Sequence, residues 1–174
     1  MPSSKHFESK IGKTMTTVTW LLVLGLLTLV FNRFLESEQN PNQTPQAFIA
    51  ENNRKVVVLK MNRSGHYVTS GKINQVAVEF LLDTGATDVA ISEKLARKLN
   101  LKIIGQSMSQ TANGVVPSYR AVLDSVTIGN ITLNNIRASI FGGLPGDEVL
   151  LGMSFLKQLE MVQKGKTLTL IQRS

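Results

Sequence analysis

In Phe80-Leu81-Leu82-Asp83-Thr84-Gly85-Ala86-Thr87, apolar side chains run straight into a carboxylate and then a glycine. That order predicts a buried strand ending in a turn, with Asp83 on the turn, because Asp and Gly suit turn backbone and Phe and Leu suit a packed strand. Asp-Thr-Gly also fits an ordinary turn chosen for geometry alone, so its meaning depends on its surroundings.

From Arg54 onward, short runs of Val, Ile, Leu and Thr recur with turn residues between them, which predicts a mainly β domain over residues 54–174. Val56–Met61, Tyr67–Ile73, Val76–Leu82 and Asp88–Ile91 read as strands, with Asn74-Gln75 as a tight turn. Ser92 is placed to cap a short helix running through Leu99, with Glu93 in its first turn and Lys98 in its last. Asn113-Gly114 is a strong hairpin signal between two extended runs, and Gly129-Asn130 marks a second hairpin. Gly142 to Gly146 reads as a flexible loop and Ser154–Leu159 as a short closing helix. Lys164-Gly165 then turns the chain into a last strand, Thr167–Ile171.

The amino end is a different polymer. No charge occurs between Lys13 and Arg33, and Val18 to Phe31 is almost unbroken apolar sequence, which predicts a transmembrane segment over residues 15–32 behind a tail of residues 1–14. The sequence after Phe31 lacks a small-x-small cleavage pattern, so the segment reads as an uncleaved signal anchor. Lys5, Lys10 and Lys13 before the span, against Arg33 after it, put the tail in the cytoplasm and the domain on the periplasmic or extracytoplasmic side of an inner membrane. Residues 33–53, rich in Asn, Gln and Pro, read as a flexible linker too poor in apolar surface to fold.

Composition removes several chemistries. The chain has no cysteine, and His6 and His66 stand alone, which argues against thiol catalysis, disulfides, a metal site or any cofactor. Residues 1–53 carry four basic and four acidic side chains, so the whole net charge of +7 lies on residues 54–174. Those Lys and Arg residues are scattered, without interleaved aromatics, and read as a solvated basic surface rather than a nucleic-acid site.

Three features in order then resemble one family: the apolar-Leu-Asp83-Thr84-Gly85-Ala86 segment, a glycine-bearing hairpin at Ala112-Asn113-Gly114, and Leu150-Leu151-Gly152 before a short helix. Together they are similar to the retroviral-type (retropepsin-like) aspartic peptidases, in particular single-pass membrane-anchored bacterial members. The resemblance implies a retropepsin-like closed β-domain, the acid-protease half-fold, with one or two short helices after one transmembrane helix. It implies that Asp83 is catalytic and that the Leu150-Leu151-Gly152 strand packs beside the Asp83 turn. It further implies that Thr84 hydrogen-bonds to its counterpart to lock two such turns together, that Gly85 lets the substrate backbone approach with Ala86 supporting the site, and that Ala112, Asn113 and Gly114 form a flap over a polypeptide substrate.

Metal-free peptide hydrolysis needs one group to take a proton from water and another to donate one, and a single carboxylate cannot do both. Only one Asp-Thr-Gly occurs, so the second carboxyl is expected from another copy in a homodimer, with the last strand, Thr167–Ile171, contributing to dimer pairing. One departure stands out. The family places an Asp two residues after the motif glycine, paired with an Arg just after the apolar-apolar-glycine signature, and here those positions hold Thr87 and Met153. Loss of both charges together leaves no unpaired ion. The alternative reading is a catalytically silent dimerisation or peptide-binding module at the membrane surface.

Overall fold

The computed structural model describes residues 4–111, 114–144 and 148–172. They form two compact units, residues 1–38 and 39–174.

The first unit is helical. Helix α1 (Ser4–Gln39) stops just ahead of Asn40-Pro41, where the proline ring disfavours helical backbone in the residue before it. From Met15 to Gln39 this helix is long and apolar enough to cross a bilayer. Its polar interruptions are internally satisfied: the Thr19 hydroxyl donates to the Met15 carbonyl at 2.9 Å and the Thr28 hydroxyl to the Leu24 carbonyl at 2.8 Å. Such back-bonding would leave neither of these two hydroxyls unpaired in an apolar environment.

In the second unit the strands are β1 (Gln46–Ile49), β2 (Lys55–Lys60), β3 (Val68–Ile73), β4 (Val76–Leu82) and β5 (Val89–Ser92), followed by helix α2 (Glu93–Lys98). Then come β6 (Gly105–Thr111), β7 (Gly114–Ile128), β8 (Ile131–Phe141), β9 (Glu148–Leu151), helix α3 (Met153–Leu156), β10 (Glu160–Lys164) and β11 (Thr167–Gln172). A seven-stranded sheet runs β3-β4-β9-β5-β8-β7-β6 and closes on itself through an added β3–β7 pairing, while a four-stranded sheet runs β1-β2-β11-β10. This is the mainly β, retropepsin-like domain that the resemblance implied.

Local chemistry accounts for the connections. Asn74 and Gln75 take φ +46° and +69°, the mirror-image turn whose twist matches that of the β3–β4 hairpin it joins. Ser92 caps α2, its hydroxyl accepting from the Leu95 N–H at 3.2 Å. Phe80, Ile91, Leu151 and Phe155 are fully buried in one cluster, so β4, β5, β9 and α3 share a single core. α3 is shorter than the expected closing helix, and the chain enters β10 at Glu160; the final turn is Gly165-Lys166, between the paired residues Lys164 and Thr167.

Two expectations fail here. Residues 33–53 are not a flexible linker: α1 continues to Gln39, β1 pairs with β2, and Asn40 and Asn42 are buried. Asn42 Nδ2 donates to the Lys60 and Val68 carbonyls at 2.9 and 2.7 Å, and Asn42 Oδ1 accepts from the Lys60 N–H at 2.7 Å. Asn40 Nδ2 reaches Glu79 Oε2 at 2.7 Å. Composition signalled disorder because it counts apolar area, whereas this segment is fixed by amide side chains replacing backbone ladder partners. The folded unit therefore begins at Gln39 and not at Arg54. The last strand also departs from expectation. β11 pairs with β10 on one side and β2 on the other, so both of its edges are used within the chain and neither is left for another copy.

Replacing Asn42 with alanine strands three backbone groups, one buried and two partly buried. The expected cost is about 3 kcal/mol, read as a fall of roughly 10 °C in the thermal midpoint. A midpoint within a degree of wild type means that the amide does not hold β2 to β3.

Candidate active site

The turn after β4 is placed by strand direction. β4 and β9 are parallel, with Leu81 opposite Leu150 and Leu82 opposite Leu151, so the residues that follow each strand emerge side by side. Asp83 follows β4 and Gly152 follows β9. The ladder extends one step into the turn, where the Asp83 N–H donates to the Leu151 carbonyl at 3.2 Å. Two further bonds run the other way: Met153 N–H to the Ala86 carbonyl at 2.8 Å and Ser154 N–H to the Thr87 carbonyl at 2.9 Å. The Asp83–Thr87 loop is thus fastened to the start of α3 by backbone alone, whatever side chains it carries.

Within the turn, Asp83 Oδ1 accepts from the Gly85 N–H at 2.8 Å, which orients the carboxylate, and the Ala86 N–H bonds the Asp83 carbonyl at 3.3 Å. A Cβ on Gly85 would lie 3.1 Å from Asp83 Oδ1, tight enough to push against the carboxylate. Asp83 and Ala86 are half-buried, whereas Thr84 and Gly85 are exposed. Gly152 is more restricted, because a Cβ there would fall onto the Asp88 carbonyl oxygen and, at 2.7 Å, onto that of Ala86. Both obstacles are backbone, so the glycine is needed for closeness, its φ of −88° being open to any residue.

The structure brings together Asp83, Thr84, Gly85, Ala86, Leu150, Leu151 and Gly152. Gly114 lies elsewhere, at the start of β7 with φ +107°, on a hairpin three strands away from β9 in the sheet order. Ala112 and Asn113 lie outside the described residues. The expected hairpin is present around them, with Thr111 paired to Gly114 and Met108 and Val115 exposed. Two surface cavities, of about 410 Å³ beside Arg97, Leu101 and Tyr119 and about 530 Å³ beside Glu79, Leu95 and Lys98, are not lined by Asp83. Its carboxylate sits on an open turn rather than in either hollow.

Some supporting residues escape sequence reasoning. The buried Ser154 hydroxyl donates to the Arg137 carbonyl at 2.8 Å and accepts from the Val89 N–H at 3.2 Å, tying α3 to β8 and β5. Asp88 pairs with Arg137 at 3.1 Å and is reached by the Ser139 hydroxyl at 3.5 Å. Thr87 and Met153 carry no charge, but an ion pair one residue beyond Thr87 anchors the same loop to β8. No local signal announces these links, since their partners are 17 to 65 residues apart.

A closed β-domain with an Asp-Thr-Gly turn clasped to a parallel Leu-Leu-Gly strand defines a retropepsin-like aspartic protease fold. The family model of the gag-polyprotein putative aspartyl protease matches residues 69–158, and the chain belongs to that family. It is 35% identical over 158 residues to an uncharacterized protein in the cobV 5' region of Sinorhizobium sp, covering 83% of this chain and 66% of that protein. It is 30% identical over 119 residues to uncharacterized protein RP867 of Rickettsia prowazekii (strain Madrid E), covering 66% of this chain and 50% of that protein. The chain therefore spans only a half to two thirds of these relatives' length. Among solved structures it is similar to a retropepsin-like aspartic protease from Rickettsia conorii, with 29% identity and a TM-score of 0.58 over 74% of this chain and 96% of that one. Family and fold are those of aspartic peptidases.

Gly152→Ala is expected to force the Asp83 loop off α3 at a cost of about 3 kcal/mol or more. Chemical denaturation checks this, and an unchanged midpoint means that the close approach is dispensable.

Proposed function

We propose that this protein is an aspartic endopeptidase that works as a homodimer, each copy supplying one Asp83. The supporting observation is the Asp83 turn itself: an oriented, half-buried carboxylate at the exposed end of a clasped loop, with one Asp-Thr-Gly in the whole chain. Two such carboxyls about 3 Å apart, as in aspartic proteases generally, share one proton because the second ionisation sets like charges together. The ionised member takes a proton from water as the water attacks the peptide carbonyl. The protonated member gives its proton to the carbonyl oxygen, and the resulting tetrahedral intermediate breaks its C–N bond as the nitrogen is protonated.

In this reading exposed Thr84 meets its counterpart across the two-fold axis, Gly85 leaves room for substrate backbone, and Leu150, Leu151 and Gly152 hold the floor. Ala112, Asn113 and Gly114 form the tip of a flap, with Met108 and Val115 offering apolar surface to an extended polypeptide. Residues 15–32 anchor the chain in the inner membrane with residues 1–14 cytoplasmic and the folded domain on the periplasmic or extracytoplasmic side. Confinement to one membrane raises the effective concentration of partners.

Asp83→Asn keeps the oxygen that accepts from Gly85 and removes the titrating group. Cleavage of an unstructured polypeptide by the full-length chain in detergent is expected to fall at least about a hundredfold with the thermal midpoint nearly unchanged. Equal cleavage by both proteins contradicts the proposal, and an inert but dimeric wild type supports the silent peptide-binding module instead. Dilution supplies a second check: below the dimer dissociation constant, activity per milligram should fall in proportion to concentration, whereas constancy down to full dissociation means that one copy suffices.

A further inference from the structure

No slack separates the apolar helix from the folded domain. α1 runs to Gln39, and from that residue on the chain is bonded into the β-domain: Asn62 Nδ2 donates to the Gln39 carbonyl at 3.0 Å, and Asn42 exchanges hydrogen bonds with Lys60. With residues 15–32 as the membrane anchor, the reading on which this inference rests, Arg33 to Gln39 rise at most about 10 Å at roughly 1.5 Å per helical residue. That is on the order of the depth of a headgroup layer. The part of the domain that surrounds Gln39 is therefore kept close to the membrane surface.

That part of the domain is basic. Lys60 ends β2 and Lys164 ends β10, and both stand opposite Thr167 of β11, one on each side of it. Cross-strand partners project from the same face, so the two lysines lie in one row, about 10 Å or two strand spacings apart. Lys166 adjoins the row in the turn, its carbonyl accepting from the Met61 N–H at 2.8 Å, and Arg63 lies on the loop closed by Asn62 and His66. Lys60, Arg63, Lys164 and Lys166 are all exposed. No Asp or Glu occurs in residues 39–45, 60–67 or 163–168; Glu36 and Glu38 precede Gln39 on α1, and Glu79 is engaged by Asn40.

We propose that this basic face docks on the headgroups of anionic phospholipids in the bilayer that α1 enters. Its lysines are spread along an open surface, and neither cavity includes them, so they do not converge on one compact anion. An array of exposed point charges suits a layer of anionic headgroups instead. Each lysine near such a surface favours the docked state about fivefold, and the short connection to α1 keeps the local concentration of headgroups high. Docking also fixes the height of the Asp83 turn. The Asn62 N–H donates to the His66 carbonyl at 2.8 Å, and the Leu82 N–H donates to the carbonyl of the next residue, Tyr67, at 3.0 Å, so Asp83 follows at the same end of the domain as the lysines.

The chain has no cysteine, so a single introduced thiol can carry a fluorescent label. Full-length Ser64→Cys and Ile49→Cys proteins are labelled and reconstituted in phosphatidylcholine vesicles bearing headgroup nitroxide quenchers, with or without phosphatidylglycerol. Ser64 is exposed beside Arg63, whereas exposed Ile49 lies opposite Lys55, about 17 Å along β2 from Lys60. Phosphatidylglycerol should raise quenching of the Ser64→Cys label at least about twofold, leave the Ile49→Cys label nearly unchanged, and lose its effect in high salt. Combining Lys60→Gln, Lys164→Gln and Lys166→Gln should abolish the rise with the thermal midpoint nearly unchanged, and arginine at the same three positions should restore it. No rise at Ser64→Cys, a rise shared by both labels, or a rise that survives the glutamine triple overturns the docking face. Alkaline carbonate extraction reads the anchor separately. A chain that carbonate strips from the vesicles but that shows the phosphatidylglycerol effect keeps this face and loses the anchor, whereas a chain that resists extraction and shows no effect does the reverse.

Discussion

The structure depends on the parallel register of β4 and β9. Pairing Leu82 with Leu151 makes Asp83 and Gly152 neighbours, and that adjacency allows the backbone bonds that fasten the Asp83 loop to α3. The constraint is steric as much as it is bonded. Gly152 can meet the Ala86 and Asp88 carbonyls only because it has no Cβ. Shifting the register by one residue turns Leu151 out of the core and takes the glycine away from the loop together. The Ser154 hydroxyl and the Asp88–Arg137 pair extend the same clasp to β5 and β8, so the carboxylate is positioned by the centre of the sheet.

What the clasp presents is half of a catalytic device in the proposed mechanism. Asp83 is oriented by Gly85 but has no second carboxyl on its own turn, and chemistry by a proton-sharing pair requires a neighbouring copy. A domain with a complete core can exist alone, so assembly of the site becomes a separate equilibrium and not a condition of folding.

Much of this is legible in the sequence wherever one local interaction dominates. Val76–Leu82 can be read to the residue because alternation, the Asn74-Gln75 turn and the Asp83 turn bound it on both sides. The Ser92 cap depends on a hydroxyl that acts three positions away, and the hairpin that Gly114 closes is marked by a glycine at positive φ. The stretches that sequence misreads are those held by distant partners. Residues 40–53 look unable to fold because their stability comes from the amides of Asn40 and Asn42 bonding Lys60, Val68 and Glu79. β11 looks free to pair outward because sequence does not reveal that β2 returns to cover it. Of the site, the Asp83 turn and the Leu-Leu-Gly strand are readable as motifs, whereas Ser154, Asp88 and Arg137 acquire their roles only when β8 arrives beside α3.

Titrating the Asp83→Asn chain into the wild type at fixed total concentration, under conditions where subunits exchange and the protein is dimeric, addresses the central claim directly. If each catalytic centre needs one Asp83 from each copy, mixed dimers are inactive and activity falls as the square of the wild-type fraction. A linear fall means that one carboxylate per chain does the work unaided, and the account of a shared site is then wrong.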